Sequence, residues 1–185
     1  YFTKTTPSGT LGTVTNNFTI EAYVQPTSYQ AGPFCGRSDA TRANSFGLEM
    51  TATGAVRAYV FNGGTGNYRY TDTSQSLPLN KKTHVAMSWA SGTILIYLDG
   101  ISVPLNTVAT AGTNPTTAGT GGDFSIGRSG AHTAAYFPGY ISNVAVFDAV
   151  LSAATIREHA KGKLLGNETN CIGAWSLDNT ANDQS

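Results

Sequence analysis

Charge is what this chain has least of: Asp, Glu, Lys and Arg make up 12% of its 185 residues, and eleven basic side chains cancel eleven acidic ones. No basic run is longer than Lys81-Lys82, so the electrostatic footprint needed for nucleic acid or an anionic lipid surface is missing. Long apolar runs are missing too; the longest are interrupted within a few residues, far short of the roughly 20 apolar positions of a helical membrane span. Cysteine is scarce. Cys35 and Cys171 fit no metal spacing and leave two states open, a disulfide formed in an oxidising compartment or two buried free thiols. The chain opens at Tyr1 with neither Met nor a charged-then-apolar leader, as expected where a leader has been removed or a longer chain has been cut.

Gly and Thr are plentiful, which suits many short strands joined by small-residue turns. The length suits one domain over residues 1–185, since a chain of about 150 residues can already remove roughly 70% of its unfolded surface from water. In residues 18–24, Phe18, Ile20, Ala22 and Val24 alternate with Thr19, Glu21 and Tyr23, the pattern of a strand with one buried face. Residues 45–51 place Phe46, Leu48 and Met50 together. Residues 55–62 set Val56, Ala58 and Val60 against Arg57, Tyr59 and Phe61, and after the Gly63–Gly66 turn Tyr68 and Tyr70 share one side of a return strand. Residues 82–105 hold two period-two runs around Ser91-Gly92, the second closing on Asp99-Gly100, the dipeptide of a type I′ hairpin turn. They predict a three-stranded meander. Residues 106–123, rich in Thr, Ala and Gly, read as a long surface loop. One helix is predicted over 153–160, capped by Ser152, stapled by Leu151 onto Ile156 and stopped at Gly162. Roughly ten to thirteen strands and one helix call for an all-β, two-sheet antiparallel jelly-roll sandwich with a short C-terminal helix, because each apolar sheet face must be covered by another.

Four segments in order carry a family resemblance: Phe18–Val24; Lys82–Val103; Phe124–Gly127 with Phe137–Phe147; and Leu151–Ile156. They resemble the laminin G-like modules of the concanavalin A-like lectin/glucanase group, with Tyr23 where the family usually has Trp and Asn143 where it often has an acidic residue. Gly173–Asn179 and Asp183 resemble the family's opening segment, yet lie at the end of this chain. Residues 171–185 therefore read as a displaced terminal strand of this module, the start of a following one, or a strand given to a neighbouring subunit.

Glycoside hydrolases on this sandwich resemble one another in a strand of alternating carboxylates, which this chain lacks. Glu21, Glu49, Glu158 and Glu168 stand singly, each the pattern of a solvated or hydrogen-bonded surface group. His84 reads as a structural imidazole within the sheet, His132 lies in a loop, His159 is on the helix, and no His pair has ligand spacing. The resemblance implies a calcium site in rim loops, for which Asp178, Asp183 and Asp123 are the leading candidates and Asp39 and Asp72 the others; Ca²⁺ needs six to eight oxygens from converging loops. For a ligand, Arg57, Tyr59, Phe61, Tyr68 and Tyr70 form an aromatic platform suited to sugar rings, with Tyr136 on a second rim. Two expectations follow. The first is a non-catalytic, lectin-like module on an extracellular or virion surface that recognises glycans or cell-surface ligands. The second is an assembly module of an extracellular filament or phage virion that contacts further copies of itself.

Overall fold

The computed structural model describes residues 2–4, 16–38, 45–62, 68–111, 123–128 and 136–177, with backbone alone at 2–4, 38, 68–71, 107–111 and 163. In chain order the strands are β1 (Phe2–Lys4), β2 (Asn17–Pro26), β3 (Gly32–Ser38), β4 (Ser45–Met50), β5 (Ala55–Phe61), β6 (Tyr68–Ser76) and β7 (Thr83–Ala90). Then follow β8 (Thr93–Leu98), β9 (Ile101–Ser102), β10 (Leu105–Ala111), β11 (Asp123–Ile126), β12 (Gly139–Phe147), helix α1 (Ala153–Glu158) and β13 (Cys171–Trp175). They form a seven-stranded antiparallel sheet, β1-β11-β3-β4-β5-β6-β10, and a six-stranded one, β13-β12-β2-β7-β8-β9.

The alternating sequences explain the sandwich. Phe18, Ile20, Ala22 and Val24 of β2, with Val85, Met87 and Trp89 of β7, are fully buried against Phe46, Leu48, Val56, Ala58 and Val60 of the facing sheet. Phe18 and Phe46 meet across the interface at 4.7 Å, and each such buried side chain contributes about 1.5–3 kcal/mol. Residues 83–102 form the expected meander, with positive φ at Ser91-Gly92 and again at Asp99 (48°) and Gly100 (76°), the geometry of type I′ turns. Asp99 Oδ1 also accepts the His84 backbone N–H at 2.9 Å, so that aspartate is committed to the turn.

The Trp175 segment pairs with β12 of this same chain, and Trp175 is buried, stacked on Phe124 at 5.1 Å. One expectation is corrected. Residues 105–111, placed mostly in a surface loop, form β10 along β6; an edge strand needs backbone partners more than an apolar face, and Thr and Val suit it. No disulfide joins Cys35 and Cys171. Cys35 lies in the core, where burial pushes its thiol up to about 12.

The helix packs on the outer face of the six-stranded sheet. Ser152 accepts the Thr155 N–H at its N-cap, and Ile156 buries itself with Leu151 against Ala86 and Tyr97. The chain then passes through a π-helical turn, His159–Lys163, broken by Gly162 at φ 84°. Gly100 fixes how close the helix sits, since a Cβ there would lie 2.6 Å from the Arg157 Cα. Gly100→Ala is expected to cost about 2–3 kcal/mol from left-handed strain and helix displacement. Urea denaturation measures it, and an unchanged midpoint would show that the helix is not seated this tightly.

Candidate functional site

With Val56, Ala58 and Val60 committed to the core, Arg57, Tyr59 and Phe61 of β5 face outward from the seven-stranded sheet. Register places Arg57 between Glu49 of β4 and Asp72 of β6, Tyr59 between Gly47 and Tyr70, and Phe61 between Ser45 and Tyr68. Arg57 donates two hydrogen bonds to Asp72, Nε to Oδ1 at 2.6 Å and Nη2 to Oδ2 at 2.8 Å, and its Nη1 lies 3.7 Å from Glu49 Oε1. Part of the cluster meets solvent, the side chains of Arg57, Asp72 and Glu49 being 33%, 17% and 14% exposed. Tyr59 is only 4% exposed. Its hydroxyl sits over Gly47, where a Cβ would approach it to 2.8 Å, and Gly36 pairs with Gly47 on the far side. Tyr59 is thus part of the floor, with the half-buried Phe61 edge-on to it at 5.8 Å.

The six residues singled out for ligand contact therefore divide. Arg57, Tyr59 and Phe61 share this face with the strand positions of Tyr68 and Tyr70. Tyr136 lies at its end, 44% exposed, bridged to Arg128, with its carbonyl against Gly32. Its neighbour Phe137 is a core anchor, edge-on to Phe34 at 4.9 Å. Of the calcium candidates, Asp123 opens β11 opposite Ser38 and Asp72 is engaged by Arg57. Asp39, Asp178 and Asp183 lie outside the described residues. Among the described residues no three His, Cys, Asp or Glu side chains converge to hold a metal.

The Laminin_G_3 family, of the concanavalin A-like lectin/glucanases superfamily, matches residues 3–157. The chain belongs to that superfamily. No curated protein matches it in sequence. Among solved structures it is similar to a candidate carbohydrate binding protein from Bacteroides ovatus, with TM-score 0.64 and 17% identity over 96% of this chain. The chain spans about half of that protein, 49%. It is also similar to the heptameric SAP-like pentraxin of Limulus polyphemus, with TM-score 0.57 and 15% identity over 84% of this chain and 72% of that one. A third likeness is to domain 4 of AbnA, an extracellular arabinanase of Geobacillus stearothermophilus, solved with arabinotriose, with TM-score 0.54 and 18% identity over 80% and 69% of the two chains. At these identities the likeness shows the fold.

On the opposite sheet of this concanavalin A-like sandwich lies a cluster that sequence reasoning missed. Glu21, expected at the surface, is fully buried, because the helix covers its side of β2. Its Oε1 is 2.6 Å from His159 Nδ1, and its Oε2 is 3.3 Å from His84 Nε2, off line for a full hydrogen bond. The Tyr23 hydroxyl donates to the His159 carbonyl at 3.0 Å, and Phe147 stacks on the His159 ring. Nothing at positions 21, 84 and 159 signals the meeting except that Glu21 and His84 both fall on outward-facing positions of paired strands. With side-chain exposures of 0–5%, the group is shut off from solvent and holds the helix to the sheet. Burial alone raises the Glu21 carboxyl, but the close approach of His159 and His84 outweighs it and holds the group below its usual 4.5. The hydrogen bond to Glu21 lifts His159 above 6.5 against its own burial, with the charges of Glu21 and Glu168 adding to the lift.

Glu21 therefore stabilises the fold above pH 4.5 and loses that contribution as pH falls through its folded pKa. His159 stabilises below pH 6.5 and loses its contribution as pH rises through its raised pKa. The advantage of the wild type over His159→Gln is expected to be larger at about pH 5.5 than at about pH 8.5. Urea midpoints at the two values check this; a difference that grows with pH would contradict it.

Proposed function

We propose that this domain is a non-catalytic carbohydrate-binding module that uses the outer face of its seven-stranded sheet. The observation that carries the reading is the Arg57–Asp72–Glu49 cluster beside Phe61. Vicinal sugar hydroxyls donate and accept at once, and a guanidinium held rigidly by a bidentate carboxylate offers fixed donors and acceptors side by side. The apolar face of a sugar ring needs an apolar neighbour, which Phe61 supplies. Membership of the superfamily supports this reading, as do the description of the Bacteroides ovatus protein and the arabinotriose complex of the arabinanase domain. The same cluster supports the non-catalytic reading. Glycoside hydrolysis needs one carboxyl carrying a proton for the leaving group, whereas both oxygens of Asp72 accept hydrogen bonds from Arg57. An extracellular or virion-surface setting suits such a module, since that is where polymeric glycans are met.

Leu95 and Ile101, 42% and 61% exposed at the β8–β9 end of the six-stranded sheet, favour a second reading, a module that contacts other copies of itself. Light scattering across a concentration series tests that reading, and a monomer throughout would remove it.

Arg57→Ala is expected to weaken binding on an array of neutral and acidic oligosaccharides at least tenfold, about 1.4 kcal/mol. Its denaturation midpoint should change little, because a partly exposed ion pair contributes about 0–1 kcal/mol. Wild-type protein that binds no glycan, or that releases sugar from a polysaccharide, would overturn the proposal.

A further inference from the structure

Between its last two strands the chain leaves the six-stranded sheet and returns to it. Phe147 of β12 pairs with Cys171 of β13, and beside that pair the Asp148 N–H bonds the Asn170 carbonyl at 3.0 Å. Residues 149–169, which carry α1 and the π-helical turn, are thus a loop closed at its base. None of its described residues belongs to the core between the sheets. Ile156 and Leu151 pack on Ala86 and Tyr97, and Leu151 and Leu164 flank Ala145, Phe147 and Ala174, two small clusters on the outer face. Polar ties come from the Thr19 and Tyr23 hydroxyls. An element with its own base and its own small apolar contacts opens separately from the core it covers.

The seat of this loop is ionised. Glu21 projects from β2 beneath the turn, one carboxylate oxygen 2.6 Å from His159 and the other 3.3 Å from His84 of β7. Among the described residues neither nitrogen of the buried His84 ring has a hydrogen-bond partner. The neighbouring charges are engaged elsewhere. Asp99 accepts the His84 backbone N–H, Glu168 accepts the N–H groups of Leu165 and Gly166, Glu158 pairs with Lys161 on the solvent side, and Lys82 lies over the Tyr23 ring. Arg157 rests its backbone on Gly100. While Glu21 is ionised, its charge and that of His159 cancel within the seat. Once Glu21 takes up a proton, the His159 charge is left buried without a counter-ion, which is strongly unfavourable. Lifting the loop returns that charge to water. In alkali the neutral imidazole still has an N–H to donate, so the seat weakens there but keeps its hydrogen bond.

We propose that residues 149–169 are an acid-released flap, which swings about its bonded base when Glu21 is protonated and bares Ala86, Tyr97, Ala145 and Phe147 while the sandwich stays folded. Glu21 is held below its usual 4.5, so opening belongs below that pH. The test is NMR of isotope-labelled protein followed from about pH 7 to about pH 3. The Ile156 methyl groups report the flap, and the Trp89 indole and Met87 methyl, both fully buried between the sheets, report the core. In the wild type the Ile156 signals are expected to move to unfolded positions below pH 4.5 while those of Trp89 and Met87 stay native. Glu21→Gln removes the counter-ion, so His159 alone governs the seat and opening should begin about one pH unit or more higher. His159→Gln removes the buried cation and should stay closed at the pH where the wild type opens. Opposite shifts in the two variants are not expected of residues that merely fill space. The flap is overturned if Ile156 and Trp89 lose their native signals together in the wild type, if Ile156 stays native throughout, or if both variants shift the transition in the same direction.

Discussion

A carboxylate withdrawn from water has to be met by hydrogen-bond donors or positive charge, and in this sandwich Glu21 is met by His159. Leaving such a group unpaired costs several kcal/mol, so the segment carrying His159 is not free to leave the sheet. Ile156, Gly100 and the Thr19 hydroxyl, which donates to the Ala149 carbonyl at 2.9 Å and accepts from the Leu151 N–H at 3.0 Å, then fix the helix in register. The result is asymmetry. The helix closes part of one sheet's outer face, while among the described residues no helix packs on the other.

That other sheet handles charge differently. Arg57 stands among carboxylates and half-buried apolar surface, so its donors are held in place and its charge is largely neutralised locally. A chain with zero formal net charge thus balances its charge in local groups and sets up no long-range field.

Much of the fold was legible in the residues themselves. The alternation in 18–24 and 55–62, the Asp99-Gly100 turn and the Ser152 cap each encode a local geometry that survives in the structure, and the family resemblance put them in order. Period two also told which side of β5 would carry Arg57, Tyr59 and Phe61. It did not tell that Tyr59 would lie over a pair of glycines as floor, because that depends on Gly36 and Gly47 meeting across strands. Nor did it show that Glu21 would be buried. Outward-facing positions are polar by pattern, and only the return of the chain at 153–163 decides whether water or protein covers them. The Thr-rich stretch after Leu105 was misread for a related reason: an edge strand is defined by its partner's free backbone, which its own side chains do not record.

Strand β2 lies between β7 and β12, and its Thr19 hydroxyl bonds a carbonyl 130 positions further on. During synthesis β7 emerges first, so β2 can close one edge early while its other edge keeps unpaired backbone until β12 has been made. At the usual pace of about 5–20 residues per second, a growing chain spends several seconds with that edge open. Glu21, projecting from the same strand, keeps this transient intermediate charged on its outward side until His159 arrives to cover it, and a charge on an exposed strand is a known deterrent to edge-to-edge aggregation.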